Sequence, residues 1–201
     1  MKFKRFIGGM LESNGYVLFQ KEGGEAFLID PGYNSKVFIE YINEQKFQLK
    51  GILLTHHHYD HVGVAERVKA AFDCPIYLHK DDCDIYSRAY KRNPDIYLED
   101  GDVLELEGEE IKVIHTPGHT RGSICFMSEK SKICFTGDTI FNVDLGRTDL
   151  EDGSESQMRD SILNIIDKWP NDIMIHPGHG DGCTMKKVRQ INTEFLDIVK
   201  R

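Results

Sequence analysis

The stretch Thr55-His56-His57-His58-Tyr59-Asp60-His61 follows directly on the apolar run Ile52-Leu53-Leu54. It packs four imidazoles and a carboxylate into seven residues. Residues two apart on an extended backbone point to the same side. His56 and His58 can therefore converge on one ion, while Asp60 and His61 fall where the chain turns and can face a second. Imidazole and carboxylate donors together suit zinc, iron or manganese.

Reading outward, short β-rich runs recur: Tyr16–Phe19, Ala26–Ile29, Ile52–Leu54, Ile76–Leu78, Ile111–Ile114, Ile124–Met127, Ile133–Phe135 and Ile173–Ile175. Turn residues such as Gly23-Gly24 and Pro31-Gly32 bound most of them. Helical spacing appears in Val64, Val68, Ala71 and Phe72. It returns after the capping-box pattern Ser154-x-x-Gln157, where Met158, Ile162, Ile165, Ile166 and Trp169 predict a helix that Pro170 stops. Met185, Val188, Ile191, Phe195 and Val199 predict one final helix. Early strands arriving as antiparallel neighbours, with later ones interleaved with helices, predict an α/β fold. Two mixed sheets would pack face to face with helices outside, all within one domain spanning residues 1–201.

Four of the strands end at metal-capable groups: Ile52–Leu54 at the first cluster, Ile111–Ile114 at His115-Thr116-Pro117-Gly118-His119, Ile133–Thr136 at Gly137-Asp138, and Ile173–Ile175 at His176-Pro177-Gly178-His179. Loops anchored on a rigid sheet are suited to building a site. His57 alternates to the opposite side of the segment and reads as structural, as does His79 at the end of an apolar strand. His115 and His176, each a few residues before a candidate ligand, are candidates for orienting the ligands from outside. Gly118, Gly137 and Gly178 would allow backbone to approach the ions.

The chain has 201 residues, 40% of them hydrophobic and 29% charged, with a net charge of -8. That acidity disfavours a nucleic-acid partner. No apolar run is long enough for a membrane span, and Met1-Lys2-Phe3-Lys4-Arg5 does not open a signal peptide. The five cysteines include no C-x-x-C pair, and Cys125 and Cys134 read as buried thiols. A cytoplasmic protein acting on a small molecule is expected.

In order and context, His56-x-His58-x-Asp60-His61, His119, Asp138 and His179 resemble the metallo-β-lactamase superfamily, over most of the chain from Tyr16 to His179. The resemblance implies an αββα sandwich with a dinuclear site at one edge. His56, His58 and His119 would hold the first metal, Asp60, His61 and His179 the second, and Asp138 would bridge them. Zinc is the first expectation for both ions. Metal lowers the pKa of bound water to roughly 7, and a second ion about 3.5–4 Å away can hold an oxyanion. Asp60 could also orient the nucleophile or pass a proton.

The segment Gly137-Asp138-Thr139-Ile140-Phe141 through Gly146-Arg147-Thr148-Asp149 looks like that of short glyoxalase II-like hydrolases. By that likeness a metal-bridging hydroxide would cleave a thioester, and Arg147 would bind a carboxylate of the thiol carrier. The plainer reading pairs Arg147 with Asp144 or Asp149. The aromatic residues that glyoxalase II offers to glutathione match Asp149 and Asp181 here, and little chain follows His179 to supply its C-terminal helical domain. These departures disfavour glutathione itself, and a thioester of the hydroxyacyl-glutathione type is the expected substrate. Tyr86, Tyr90 and Tyr97 lie in a polar stretch, 83–100, that reads as a lid or, preferably, an amphipathic connection. The rival reading is a persulfide dioxygenase with one iron on His56, His119 and Asp138. A lactonase, a β-lactamase, a nuclease and a non-catalytic metal-binding module are further alternatives, and the acidic second motif position of flavodiiron proteins is replaced here by His58.

Overall fold

The computed structural model describes residues 1–200. Its layering follows from side-chain alternation. In β2 (Ser13–Phe19) Tyr16 and Leu18 face one way and Val17 the other, and all three are buried. In β9 (Ile124–Ser128) Ile124 and Phe126 oppose Cys125 and Met127, again all buried. Strands buried on both faces need cover on each side.

The first sheet runs in chain order: β1 (Lys2–Gly8), β2, β3 (Glu25–Ile29), β4 (Gln48–Leu53), β5 (Ile76–His79) and β6 (Ile96–Leu98). Its first three strands are antiparallel and its last three pairings parallel. The second sheet orders β7 (Val103–Leu106), β8 (Glu109–His115), β9, β10 (Ile133–Gly137), β11 (Met174–Pro177) and β12 (Cys183–Thr184). Tyr16, Phe27, Ile29, Leu53, Phe126 and Phe135 pack between the sheets.

Outside the first sheet, α1 (Ser35–Glu44), α2 (Tyr59–Val62), α3 (Ala65–Phe72) and α4 (Cys83–Tyr90) close over Val17, Leu28, Ile52 and Leu54. Outside the second, α5 (Glu155–Asn164), α6 (Met185–Ile191) and α7 (Thr193–Val199) cover Cys125, Met127, Cys134 and Ile175. Two mixed sheets with helices on both outer faces make the αββα arrangement. No helix among the described residues is long and apolar enough to cross a membrane.

All eight expected strands form. The others differ for local reasons. β1 is an edge strand whose Phe3 and Phe6 have opposite parity and enter different layers, Phe3 against Tyr16 and Phe135, Phe6 against Phe38 and Tyr41. Lys4 and Arg5 between them obscure the pattern. The later strands are less interleaved with helices than expected, since β7 to β10 form an antiparallel meander. The helix capped by Ser154 ends at Asn164 and gives way to a 3₁₀ turn at Ile166–Lys168. Residues 83–100 are not a lid: they form α4 and β6, with Tyr86 wholly buried and its hydroxyl donating to Glu66 Oε1 at 3.1 Å.

The expected final helix is broken in two at Asn192. Its Oδ1 accepts from the Phe195 N–H at 2.9 Å, capping α7, and its Nδ2 donates to the carbonyls of Phe141 (3.1 Å) and Asp144 (2.8 Å). A buried amide that satisfies three backbone groups outweighs helical continuity. Asn192→Ala should destabilise the metal-free protein by about 2–4 kcal/mol, combining the lost cap with two stranded carbonyls. Urea unfolding measures it, and a loss below about 1 kcal/mol would contradict the role given to this residue.

Candidate metal centre

Each strand carries its polar group to the same edge of the sandwich. His56 leaves β4, His119 follows β8, Asp138 follows β10 and His179 follows β11. Asp60 and His61 lie in the short helix α2 that His58 precedes. Two groups of donors result, His56/His58/His119 and Asp60/His61/His179, and within each the ligand atoms lie within 4.8 Å of one another. Asp138 stands between them: Oδ1 is 3.4 Å from His61 Nε2, and Oδ2 is 3.6 Å from His119 Nε2 and 3.4 Å from His179 Nε2. The seven side chains singled out in the sequence thus meet in one cluster.

The outward nitrogens explain how the rings are aimed. Nδ1 of His56 is 3.0 Å from Thr55 Oγ1, and Nδ1 of His61 is 3.1 Å from Asp30 Oδ2. His119 Nδ1 meets the Arg147 carbonyl at 2.7 Å, and His179 Nδ1 the Leu11 carbonyl at 2.9 Å. These four rings are left with Nε2 facing the cluster. His58 is reversed, with Nδ1 inward, 2.8 Å from His119 Nε2. Fixing one ring nitrogen on an acceptor sets the tautomer and leaves the other as a ligand.

The donors also fit a cation chemically. His56 Nε2 and Asp138 Oδ1 are buried without any hydrogen-bond partner, an arrangement that costs free energy unless something else compensates. Burial, then neighbouring imidazoles, pushes His56 well below the usual histidine range and His58 down to about 4. His119 is lowered by burial as well. Neutral rings of this kind offer lone pairs. At His61 and His179 burial is the largest single influence and acts downward, yet carboxylates outweigh it. Asp138, Asp30 and Asp60 raise His61 well above its usual range, and Asp138 and Asp60 lift His179 to about 10.

Several supports were not legible in the sequence. Asp30, buried at the carboxyl end of β3 with φ +48°, accepts from the Thr55 N–H (2.8 Å) and hydroxyl (2.6 Å) besides contacting His61. Its position one residue past an apolar strand, like the other four strand-end groups, is the signal that could have found it. Asp82, also buried, accepts from the His57 N–H (2.9 Å), the Thr120 hydroxyl (2.9 Å) and the Gly122 N–H (2.6 Å), tying together the loops that carry His58 and His119. His57 Nδ1 lies 3.0 Å from the same carboxylate. Asn14 Nδ2 donates to the carbonyls of Pro177 and Gly180, both at 2.9 Å, and so brackets the loop of His179.

Two expectations are corrected. His115 does not orient a ligand: its ring stacks on His79 at 4.1 Å and its Nε2 bonds the Arg121 carbonyl at 2.8 Å. His176 points inward between the sheets, against Phe3, Tyr16 and Phe135, because alternation along β11 places Ile175 on the outer face. Arg147 spends its guanidinium on a bidentate pair with Asp149, at 2.7 and 2.8 Å, the plainer of the two readings. Two residues apart in one loop, those groups pair at the wall of the cleft. Among the glycines, a Cβ at Gly178 would fall 2.1 Å from Asp138 Oδ1, so only hydrogen fits there. Gly118 instead packs on Met158 of α5.

The cluster floors a cleft of about 430 Å³ walled by Leu11, Tyr59, Arg147 and Leu150. With this geometry in view, comparison with known proteins is specific. Residues 8–179 match the metallo-beta-lactamase superfamily model, and the chain belongs to that superfamily. A hydroxyacylglutathione hydrolase of Francisella tularensis subsp. novicida is 34% identical over 181 residues, 89% of this chain and 68% of that protein. The crystal structure of BLEG-1 B3 metallo-beta-lactamase superposes with TM-score 0.87 at 31% identity, covering 95% of this chain and 98% of that one. TTHA1623, solved in a di-iron-bound form, superposes with TM-score 0.81 at 31% identity, covering 94% and 98%.

Metal uptake must displace the protons that carboxylates hold on His61 and His179 at neutral pH. Affinity should therefore rise with pH, and proton release on binding should be large at pH 7 and shrink as pH approaches about 10, where His179 is already half deprotonated. Titration calorimetry in buffers of different ionisation enthalpy counts those protons. Release that stays constant from pH 7 to about 10 would contradict the charge arrangement described.

Proposed function

We propose that this chain is a metal-dependent hydrolase that cleaves a thioester, with zinc as the first candidate metal and iron or manganese as alternatives. The observation that carries the hydrolase reading is Asp138 standing between two three-donor groups, as a carboxylate shared by two ions must. The thioester reading draws on the similarity to a hydroxyacylglutathione hydrolase. The similar degree of likeness to a B3 β-lactamase means that overall identity does not select the substrate.

In this reading His56, His58 and His119 hold one ion, Asp60, His61 and His179 the other, and Asp138 reaches both. Ions bound there supply a water acidified to neutral pH and positive charge for the substrate carbonyl oxygen. Water adds to the acyl carbon, the carbon–sulfur bond breaks, and the products are a carboxylic acid and a thiol. Asp60 Oδ2 lies 3.3 Å from His61 Nε2 and 3.1 Å from His179 Nε2. Its side chain stays 21% exposed, so Asp60 can orient the incoming water and pass its proton toward the leaving sulfur. Leu11, Tyr59 and Leu150, all exposed, give the mouth of the cleft an apolar rim.

An iron-dependent persulfide dioxygenase using His56, His119 and Asp138 is the second reading, favoured by the likeness to a di-iron protein. Protein of measured metal content, assayed on a panel of thioesters and separately for oxygen uptake with a persulfide, separates the two. Thioester turnover is expected, and Asp138→Ala should lose bound metal and lower kcat/KM by roughly 10³-fold or more. Oxygen consumption without thioester turnover would decide for the dioxygenase, and full turnover by metal-free Asp138→Ala would reject the hydrolase.

A further inference from the structure

Four of the clustered imidazoles are braced from outside: His56 by Thr55, His61 by Asp30, His119 by the Arg147 carbonyl and His179 by the Leu11 carbonyl. His58 is the exception. Its Nδ1 faces the cluster, 2.8 Å from His119 Nε2, and its Nε2 has no hydrogen-bond partner among the described residues. A ligand ring free at its second nitrogen has no fixed tautomer or tilt, and lacks the basicity that an outer acceptor confers.

Beside it stands a carboxylate with the complementary deficit. Asp152 lies shortly before α5, with its side chain only 5% exposed, and its Oδ2 accepts the Arg121 N–H at 3.2 Å. Its Oδ1 is buried without any hydrogen bond, an unfavourable state for a carboxylate oxygen removed from water. His57 does not satisfy it. The His57 Nε2 is 3.9 Å away, beyond a hydrogen bond, and its Nδ1 lies 3.0 Å from Asp82. His58 belongs to the same group: one ligand-type atom from each of His57, His58 and Asp152 lies within 4.8 Å of the others. This trio is not an ion site of its own, because a neutral imidazole has one lone pair and His58 commits it through Nδ1 to the cluster.

Two nitrogens bound to one zinc ion at about 2.0–2.1 Å stand roughly 3.3 Å apart in a tetrahedral site. His58 Nδ1 and His119 Nε2 are closer than that, at 2.8 Å, so the His58 ring must shift as an ion enters. We propose that Asp152 is the positioning residue for this ligand: on ion binding the His58 Nε2–H closes on Asp152 Oδ1, which fixes the tautomer and holds the Nδ1 lone pair on the ion. This role needs an ion on His56, His58 and His119, as in the reading above, and does not depend on the substrate. It also ties the first ion to the loop that carries Leu150 at the mouth of the cleft, since Asp152 follows in that loop.

The test is stepwise zinc binding to the full chain in competition with a chelating dye, with NMR of nitrogen-labelled histidine rings assigning each step. Asp152→Ala should weaken zinc at His56, His58 and His119 by about 10–100-fold and leave zinc at Asp60, His61 and His179 within about threefold. Asp152→Ala also gives up the Arg121 contact, so the isosteric Asp152→Asn, whose carbonyl can still accept, is the control and should recover part of the loss. In the zinc-loaded protein the His58 Nε2 proton should exchange slowly with solvent, and quickly in Asp152→Ala. A merely structural part for Asp152 would not single out that proton. If both steps weaken alike in both variants, if neither weakens, or if the His58 proton is indifferent to residue 152, the inference is overturned while the two-ion centre stands. A single zinc on His56, His58 and His119, sensitive to Asp152, would keep this role and remove the two-ion centre. Zinc that avoids those three residues in the unmodified protein would overturn both.

Discussion

Everything at this edge of the molecule turns on the carboxylate of Asp138, buried between two sets of imidazoles. A buried charge is tolerated when it is paired, and here the pairing is incomplete: Oδ1 has no hydrogen bond, and neither does His56 Nε2. Protons on His61 and His179 supply some of the missing positive charge. Divalent ions would supply it more fully, with the lone pair of His56 already bare and the inward nitrogens of His58 and His119 facing each other at 2.8 Å. The rings are held in place by contacts from outside the cluster, among them Asp30 on His61, the Arg147 carbonyl on His119 and the Leu11 carbonyl on His179.

The sandwich makes that convergence possible. Strands in both sheets end at one edge, and the loops beyond them are tied down by hydrogen bonds, so the donors need little conformational freedom to meet. Asp82 joins two of those loops through three hydrogen bonds, and Asn14 brackets a third. Rigid support of this kind lets outer contacts influence metal affinity as strongly as some ligands do. The same frame serves proteins as different as a β-lactamase and a hydroxyacylglutathione hydrolase. Selectivity must therefore reside around the cleft, in Leu11, Tyr59 and Leu150 at its mouth.

Eight core strands and the seven clustered donors were legible because both signals are local. An apolar run bounded by turn residues marks a buried strand, and a histidine or aspartate just past its end stands out. Edge strands were harder: in β1 Lys4 and Arg5 separate phenylalanines that enter two different layers. Asn192 shows the opposite limit, since helical periodicity continued across a residue whose amide is claimed by Phe141 and Asp144, about fifty residues earlier. Asp30 and Asp82 resembled ordinary surface acids until tertiary contacts appeared. Arg147 pairs with Asp149, its neighbour two residues on, while also walling the cleft. His176 failed through parity, one residue of alternation turning it from the site into the core.

Crystals of the metal-loaded protein, with diffraction data collected on both sides of the metal's absorption edge, address the cluster directly. Two anomalous peaks should appear, one among His56, His58 and His119 and one among Asp60, His61 and His179, with Asp138 reaching both. A single peak, or peaks outside these groups, would contradict the assignment of a two-ion centre to these seven residues.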